Sequence, residues 1–304
     1  MSDHSLGASS SLTGQIIASF GRGYRVELST GVIVDCTTRG KRSDLACGDR
    51  VTARITGDDT GVIETVTPRA SLLYRSDAHR QKLIAANVTQ AVIVIAPVPT
   101  WHEDLLNRCL AACEHANIKP LIVLNKSDLP QSQAAWDALS IYRDLGCTVL
   151  RLCAKEDVSA LAALLQGQVS VLVGQSGMGK STLINALLPG AALRVAETSL
   201  ALDSGKHTTT GARLLHINAA SDVIDSPGLQ VFGLHHLSLD ETAQAFADLR
   251  PWLGQCRFRD CTHRSEPDCA VTQACEAGRI APSRMATFRA LVDERLRADS
   301  RKYK

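Results

Sequence analysis

Apolar positions in this chain follow two regimes. From Gly14 to about Val66, short β-branched runs alternate with polar residues and break at Gly or Asp roughly every ten residues. GQIIASFG, GYRVELS, GVIVDCTT, DRVTARIT and TGVIETVT each read as a strand. Five short strands in this length predict a small closed barrel over residues 13–68, an OB-fold; an SH3-like barrel would show the same pattern. Residues 1–12 are small and polar and are expected to form a disordered tail.

Beyond a polar connection, Pro68–Asn87, the apolar runs become continuous. Gln90–Pro97 and Pro120–Leu124 read as buried strands. Between them, Glu103–Ala116 puts Leu105, Leu106, Cys109, Leu110 and Cys113 on one helical face. A helix over 133–145, a strand over 148–152, a helix over 158–165 and a strand over 169–173 follow. This alternation predicts a parallel, doubly wound α/β domain over 69–240, with ligand residues at the carboxyl ends of its strands. Residues 241–304 end in an amphipathic helix that Ser283 should cap, with Met285, Phe288, Leu291, Val292 and Leu296 inside and the basic residues outside.

Composition changes this picture little: 45% hydrophobic and 21% charged residues are those of an ordinary globular protein. Charge distribution says more. The net charge is only +2, yet Arg279–Lys304 holds eight Lys/Arg against three Asp/Glu. That tail is either an RNA footprint or the solvated face of a helix. The barrel segment carries as many acidic as basic residues, so Arg39–Arg42 in its loop does not by itself indicate nucleic acid. No apolar run nears the roughly 18 residues of a membrane span, and the start lacks a signal pattern. No membrane association is expected, and the location should be the cytoplasm, where thiols stay reduced.

The chemistry is concentrated after Val169. Val169, Val171 and Val173 lead into Gly174, Gln175, Ser176, Gly177, Met178, Gly179, Lys180, Ser181 and Thr182, the pattern G-x-x-x-x-G-K-S between a strand and a helix. Backbone N–H groups of such a loop wrap a phosphate chain at a helix N-terminus. Lys180 would reach the β- and γ-phosphates, and the Ser181 hydroxyl would hold Mg²⁺. Upstream, Asn125-Lys126-Ser127-Asp128 is N-K-x-D. An Asp128 carboxylate can accept from both N1–H and the exocyclic amine of guanine, a donor pair adenine lacks, so GTP is selected over ATP. Asn125 would brace this loop, and the stem of Lys126 would lie along the base.

Downstream, Leu202–Thr210 is hydroxyl-rich and reads as a switch loop, with Thr209 as the Mg²⁺ ligand and Thr208 and Thr210 as rivals. Asp225-Ser-Pro-Gly228 follows. Asp225 would bind Mg²⁺ through water, and the Gly228 N–H would meet the γ-phosphate. The order N-K-x-D, phosphate loop, switch and D-x-P-G indicates a circular permutation, since most GTPases begin with the phosphate loop. Leu229 stands where Ras-like proteins carry the water-orienting Gln, and Gln230 is one residue late. His207 is then the best candidate for placing the attacking water.

Cys256-x₄-Cys261-x-His263-x₅-Cys269 supplies three thiolates and one imidazole, a closed tetrahedral zinc set. Cys275 is an alternative to Cys269 but is read as a buried thiol. Arg257, Arg259, Asp260, Arg264 and Glu266 leave this segment little apolar core, so metal would fold it.

With N-K-S-D, G-Q-S-G-M-G-K-S-T, G-K-H-T-T-T, D-S-P-G and the Cys/His cluster in this order, residues 13–300 or so resemble the RsgA (YjeQ) family of ribosome-small-subunit-dependent GTPases. The resemblance implies an OB-fold, a permuted GTPase domain and a zinc domain that contact the 30S subunit and its 16S rRNA during late maturation. It implies slow GTP hydrolysis to GDP and phosphate, stimulated by the subunit, by a chain expected to be a monomer. The switch histidine of the family matches His207, and Phe232-Gly233-Leu234 fits as well. Cys153-Ala154-Lys155 replaces the Ser-Ala-Lys of many GTPases behind the base. A nucleotide-sensing RNA-binding module without significant turnover is the alternative.

Overall fold

The computed structural model describes residues 11–20, 23–40, 44–76, 81–189, 211–227 and 232–302. Five strands form the first unit: β1 (Ser11–Phe20), β2 (Gly23–Leu28), β3 (Ile33–Thr38), β4 (Arg50–Ile55) and β5 (Thr60–Val66). Their alternating pattern turns Ile16, Tyr24, Val26, Val34, Cys36, Val51, Ala53 and Ile63 inward to a common core. β1 pairs antiparallel with both β2 and β4, and β3 lies parallel to β5, so the sheet closes in the order 1-2-3-5-4-1. That closure is the OB topology. β1 already begins at Ser11, paired with Arg54, so residues 11 and 12 are strand rather than tail.

Buried Asp49 holds the barrel to the segment that leaves it. Its two oxygens accept from Arg69 Nε and Nη2 at 2.6 and 2.7 Å. The segment expected to be a polar connection is a hairpin, β6 (Leu72–Ser76) with β7 (Gln81–Ala86). Leu73, Ile84 and Ala85 are buried in the main core, which is why it is ordered there.

The second unit is a six-stranded sheet in the order β10-β9-β8-β11-β13-β12. Its strands are β8 (Gln90–Ile95), β9 (Lys119–Leu124), β10 (Thr148–Arg151), β11 (Val169–Val173), β12 (Arg213–Asn218) and β13 (Ser221–Asp225). All neighbours are parallel except β12, which runs antiparallel to β13. The carboxyl ends of β8, β9, β10, β11 and β13 therefore share one edge. One face carries α4 (Ser159–Leu165) and α5 (Lys180–Leu187), packed through Leu161, Leu165, Leu183 and Ile184. The other carries α1 (Glu103–His115), α2 (Ser132–Ala138) and α3 (Ser140–Asp144). β12 also meets the barrel, where Arg213 pairs with Ala18 of β1.

The C-terminal part holds α6 (Leu239–Gln244), a 3₁₀ turn at Arg250–Trp252, α7 (Ala270–Glu276) and α8 (Pro282–Lys302). α6 starts with a full capping box, Ser238 with Glu241. α8 lies on α1, so α1 is buried from Leu105 through Cys113 and not on one face only. The expected apolar side of α8 faces in: Met285, Phe288, Leu291 and Val292 are buried and Leu296 is partly so.

Two expectations for α8 are corrected. The helix begins at Pro282, a residue suited to the first turn, so Ser283 lies inside it. The Ser283 hydroxyl instead donates to Glu103 Oε1 at 2.6 Å. Nor do the basic residues all face outward. Arg284 is 3% exposed, stacks on Phe246 and makes two bonds to equally buried Asp248 at 2.7 and 2.8 Å. Arg289 donates to the His263 carbonyl and Thr272 Oγ1, and Arg295 to the His235 carbonyl. Much of the basic tail thus serves to dock the helix.

Candidate nucleotide site and metal centre

The phosphate loop joins β11 to α5 through backbone that only glycine tolerates. Gly174 has φ +148°, and a methyl there would overlap the Val94 carbonyl of β8. Gly179 has φ +95°, precedes α5, and a methyl would overlap Asn125 Nδ2. The loop can therefore lie flat on the neighbouring strand ends, with the positive end of α5 facing whatever it wraps. Lys180 opens α5 and is 9% exposed; its Nζ donates to the Gly174 and Gln175 carbonyls at 2.8 and 3.0 Å. Burial draws its pKa down, and nearby Asp225 opposes that. Ser181 and Thr182 follow, exposed on the first turn.

Asn125 joins three loops. Its Nδ2 donates to the Met178 carbonyl at 3.0 Å, and its Oδ1 accepts from the Ala154 amide at 3.0 Å, with the side chain buried. The loops after β9, β10 and β11 are thereby fixed relative to one another. Lys126 is left-handed at φ +61°, and its Nζ donates to the Val98 and Gly177 carbonyls at 2.6 and 2.8 Å. Its ammonium is tied to the phosphate loop, which fixes the stem between the loops. Ser127 N–H donates to the Leu152 carbonyl, setting Asp128 and Lys155 on adjacent loops. Burial, and after it the Asp128 carboxylate, push the Cys153 thiol up, so it stays protonated beside that carboxylate.

Asp225 ends β13 on the same edge. Burial pushes its pKa up, while Lys180 and Arg213 work against burial. Ser226 Oγ donates to the Leu172 carbonyl at 2.6 Å, tying this turn to the phosphate-loop strand. His207, Thr208, Thr209, Thr210, Gly228, Leu229 and Gln230 lie outside the described residues. A contribution that the sequence pattern did not reveal comes from the loop after β8. Besides the Val98 carbonyl on Lys126, the His102 amide donates to Gln175 Oε1 at 3.0 Å. Its only sequence signal is its place at the end of a buried strand.

Cys256, Cys261, His263 and Cys269 bring their ligand atoms within 4.8 Å of one another. His263 Nδ1 lies 3.4 Å from both Cys256 Sγ and Cys269 Sγ, and those sulfurs are 3.8 Å apart. Metal–sulfur bonds of about 2.3 Å and metal–nitrogen bonds of about 2.0–2.1 Å in a tetrahedron give edges of about 3.8 and 3.5 Å. The donor set fits zinc in kind and in size. Cys275 is outside the cluster and only half-buried. Beside it, burial opposes the charge on Glu266, but bonds from Thr262 and neighbouring amides outweigh it and bring its pKa to about 2. That carboxylate pins the turn carrying His263 by accepting from the Thr262 and Arg264 amides.

The RsgA GTPase family model matches residues 66–235. A small ribosomal subunit biogenesis GTPase RsgA of Nitrosomonas europaea is 50% identical over 286 residues, covering 93% of this chain and 91% of that relative. The protein of the same description from Neisseria meningitidis serogroup C is also 50% identical, covering 93% and 92%. Among solved structures, YjeQ from Thermotoga maritima superposes with a TM-score of 0.68 at 28% identity, covering 94% of this chain and 99% of that one. YloQ, described as a circularly permuted GTPase, gives 0.67 at 26% identity and covers 98% of each. Among the described residues, no helix is long and apolar enough to cross a membrane.

Proposed function

The chain belongs to the RsgA GTPase family, and on that premise we propose that it is a GTP-gated assembly factor of the small ribosomal subunit. It binds the 30S particle and its 16S rRNA, hydrolyses GTP to GDP and phosphate faster when bound, and works as a monomer in the cytoplasm. The observation that carries the reading is Asn125. Its bonds to the Met178 carbonyl and the Ala154 amide tie the loop that carries Asp128 to the phosphate loop, which supports a guanine-reading role for that carboxylate.

In this reading Asn125, Lys126 and Asp128 select guanine, with Cys153, Ala154 and Lys155 behind the base. Gly174–Thr182 cradle the phosphates. Lys180 leaves its loop carbonyls for the β- and γ-phosphates and neutralises charge as the terminal bond breaks. Ser181, Asp225 and Thr209 would hold Mg²⁺, which would supply positive charge to offset that developing on the phosphates. His207 places the attacking water, and the Gly228 N–H meets the γ-phosphate. Cys256, Cys261, His263 and Cys269 would hold one Zn²⁺ that fixes the shape of the C-terminal contact surface.

Phosphate release from GTP and from ATP, with and without purified small subunits, tests the proposal. GTP should be strongly preferred, subunits should accelerate turnover, Lys180→Ala should abolish it, and His207→Ala should slow it with GTP affinity largely kept. Equal use of ATP would refute the reading. Tight GTP binding with no turnover on subunits would instead indicate a nucleotide-sensing RNA-binding module.

A further inference from the structure

Arg213, the first residue of β12, has a strand on either side. Toward the GTPase sheet it is the cross-strand partner of Asp225 on β13. On its other side it pairs with Ala18 of β1, the strand pairing that carries the sheet on into the barrel. Directly opposed residues of an antiparallel pair present their side chains on one face, with Cβ atoms about 4.5–5.5 Å apart. The next same-face pair along identifies that face. Leu215 and Val223 oppose each other and both pack in the cluster under α4 and α5. Arg213 and Asp225 thus share the side of the sheet on which α5 and Lys180 lie.

Opposite charges directly opposed across an antiparallel pair attract, and that attraction holds the half-buried Asp225 carboxylate in direction. Lys180 is near, but its ammonium is engaged by loop carbonyls and is required by the phosphates when nucleotide binds. Among the described residues, Arg213 has no such second duty. Its own position is set from the barrel side three times. Ala18 pairs with it. Gly211, two residues earlier, lies so close to β1 that a methyl would overlap the Ser19 carbonyl oxygen. His216, three residues later, bridges Glu27 of β2 and Asp222 of β13 at 2.7 Å each.

We propose that Arg213 is a positioning residue for Asp225, held in place by the barrel's edge strand, so that the barrel helps to build the magnesium site. The inference rests on the reading that Asp225 serves Mg²⁺.

The test is a Mg²⁺ titration of GTP-analogue binding and of phosphate release by the full chain, with GDP affinity in EDTA measured alongside. Arg213→Gln should raise the Mg²⁺ concentration for half-maximal binding about tenfold, leaving GDP affinity in EDTA within twofold. Arg213→Lys should recover most of the loss. Gly211→Ala keeps the arginine but disturbs its seat, and should shift the Mg²⁺ requirement in the same direction by a smaller factor. An Arg213→Gln titration that overlays wild type, while Asp225→Asn shifts it, overturns the role of Arg213 and leaves the magnesium reading standing. An equal loss of GDP affinity in EDTA overturns it too, because the effect would then not pass through the metal. If Asp225→Asn itself changes nothing, the magnesium reading falls, and the proposal with it.

Discussion

Replacing Asn125 by alanine tests whether one side chain holds the loop proposed to read guanine and the phosphate loop together. The truncation strands two backbone groups in a dry site, the Met178 carbonyl and the Ala154 amide, each of which now has Asn125 as its partner. An orphaned buried donor or acceptor costs about 1–3 kcal/mol, so the pair should cost roughly 2–6 kcal/mol. In a domain of this size that lowers the melting temperature by at least about 4 °C. Asn125→Asp keeps the acceptor for Ala154 but turns an oxygen toward the Met178 carbonyl, and should do no better. Affinity should fall for GTP and GDP alike, since both use both loops. Urea unfolding followed by tryptophan fluorescence, with GDP titrations on the folded protein, measures both quantities. An alanine variant within 0.5 kcal/mol of wild type, binding GDP normally, would refute the argument that these loops are set by one amide.

Two further outcomes follow from the metal cluster and from the barrel seam. Chelation should make the chain cleavable by trypsin at Arg257 and Arg264, because zinc contributes about 10–16 kcal/mol in comparable finger peptides. GDP binding should persist, since α8 is held on α1 by Arg108–Glu294 and Ser283–Glu103 without metal; metal analysis should find one zinc per chain, and a chelator-indifferent digest would contradict the site. At His216, burial disfavours the charge but bonds to Asp222 and Glu27 prevail and hold the imidazole above its usual pKa. Its stabilising effect is complete below about pH 6.5 and fades as pH rises through the raised value. The ring is half exposed, so solvent screening keeps the gain below about 1 kcal/mol. Unfolding free energy from pH 6 to 9 should slope less in His216→Gln; identical slopes would exclude the bridge.

Local chemistry was legible in the sequence, and long-range partnership was not. Glycine placement forces the phosphate loop, and the clustered Cys256, Cys261, His263 and Cys269 meet as their spacing suggested. The five barrel strands announced themselves by alternation. The β6–β7 hairpin did not, because Leu73, Ile84 and Ala85 are few among polar neighbours and find their apolar partners elsewhere in the chain. Ser238-x-x-Glu241 was a readable start signal for α6, and Pro282 a better first-turn marker than Ser283. Arg284 looked like a solvated charge because its partner, Asp248, lies 36 residues away. Arg213 owes its meaning wholly to register, which no local pattern encodes.

The position of α8 on α1 also bears on synthesis. α1 follows the first strand of the sheet, yet the helix that covers its outer side, through Thr287 on Asn107 and Glu294 on Arg108, is made some 180 residues later. A nascent chain can therefore assemble its barrel early but must leave a flank of the enzyme bare until Pro282–Lys302 clears the exit tunnel. Premature termination anywhere before Pro282 would strand Asn107 and Arg108 without those partners, so truncated products should be sticky and short-lived rather than partly active.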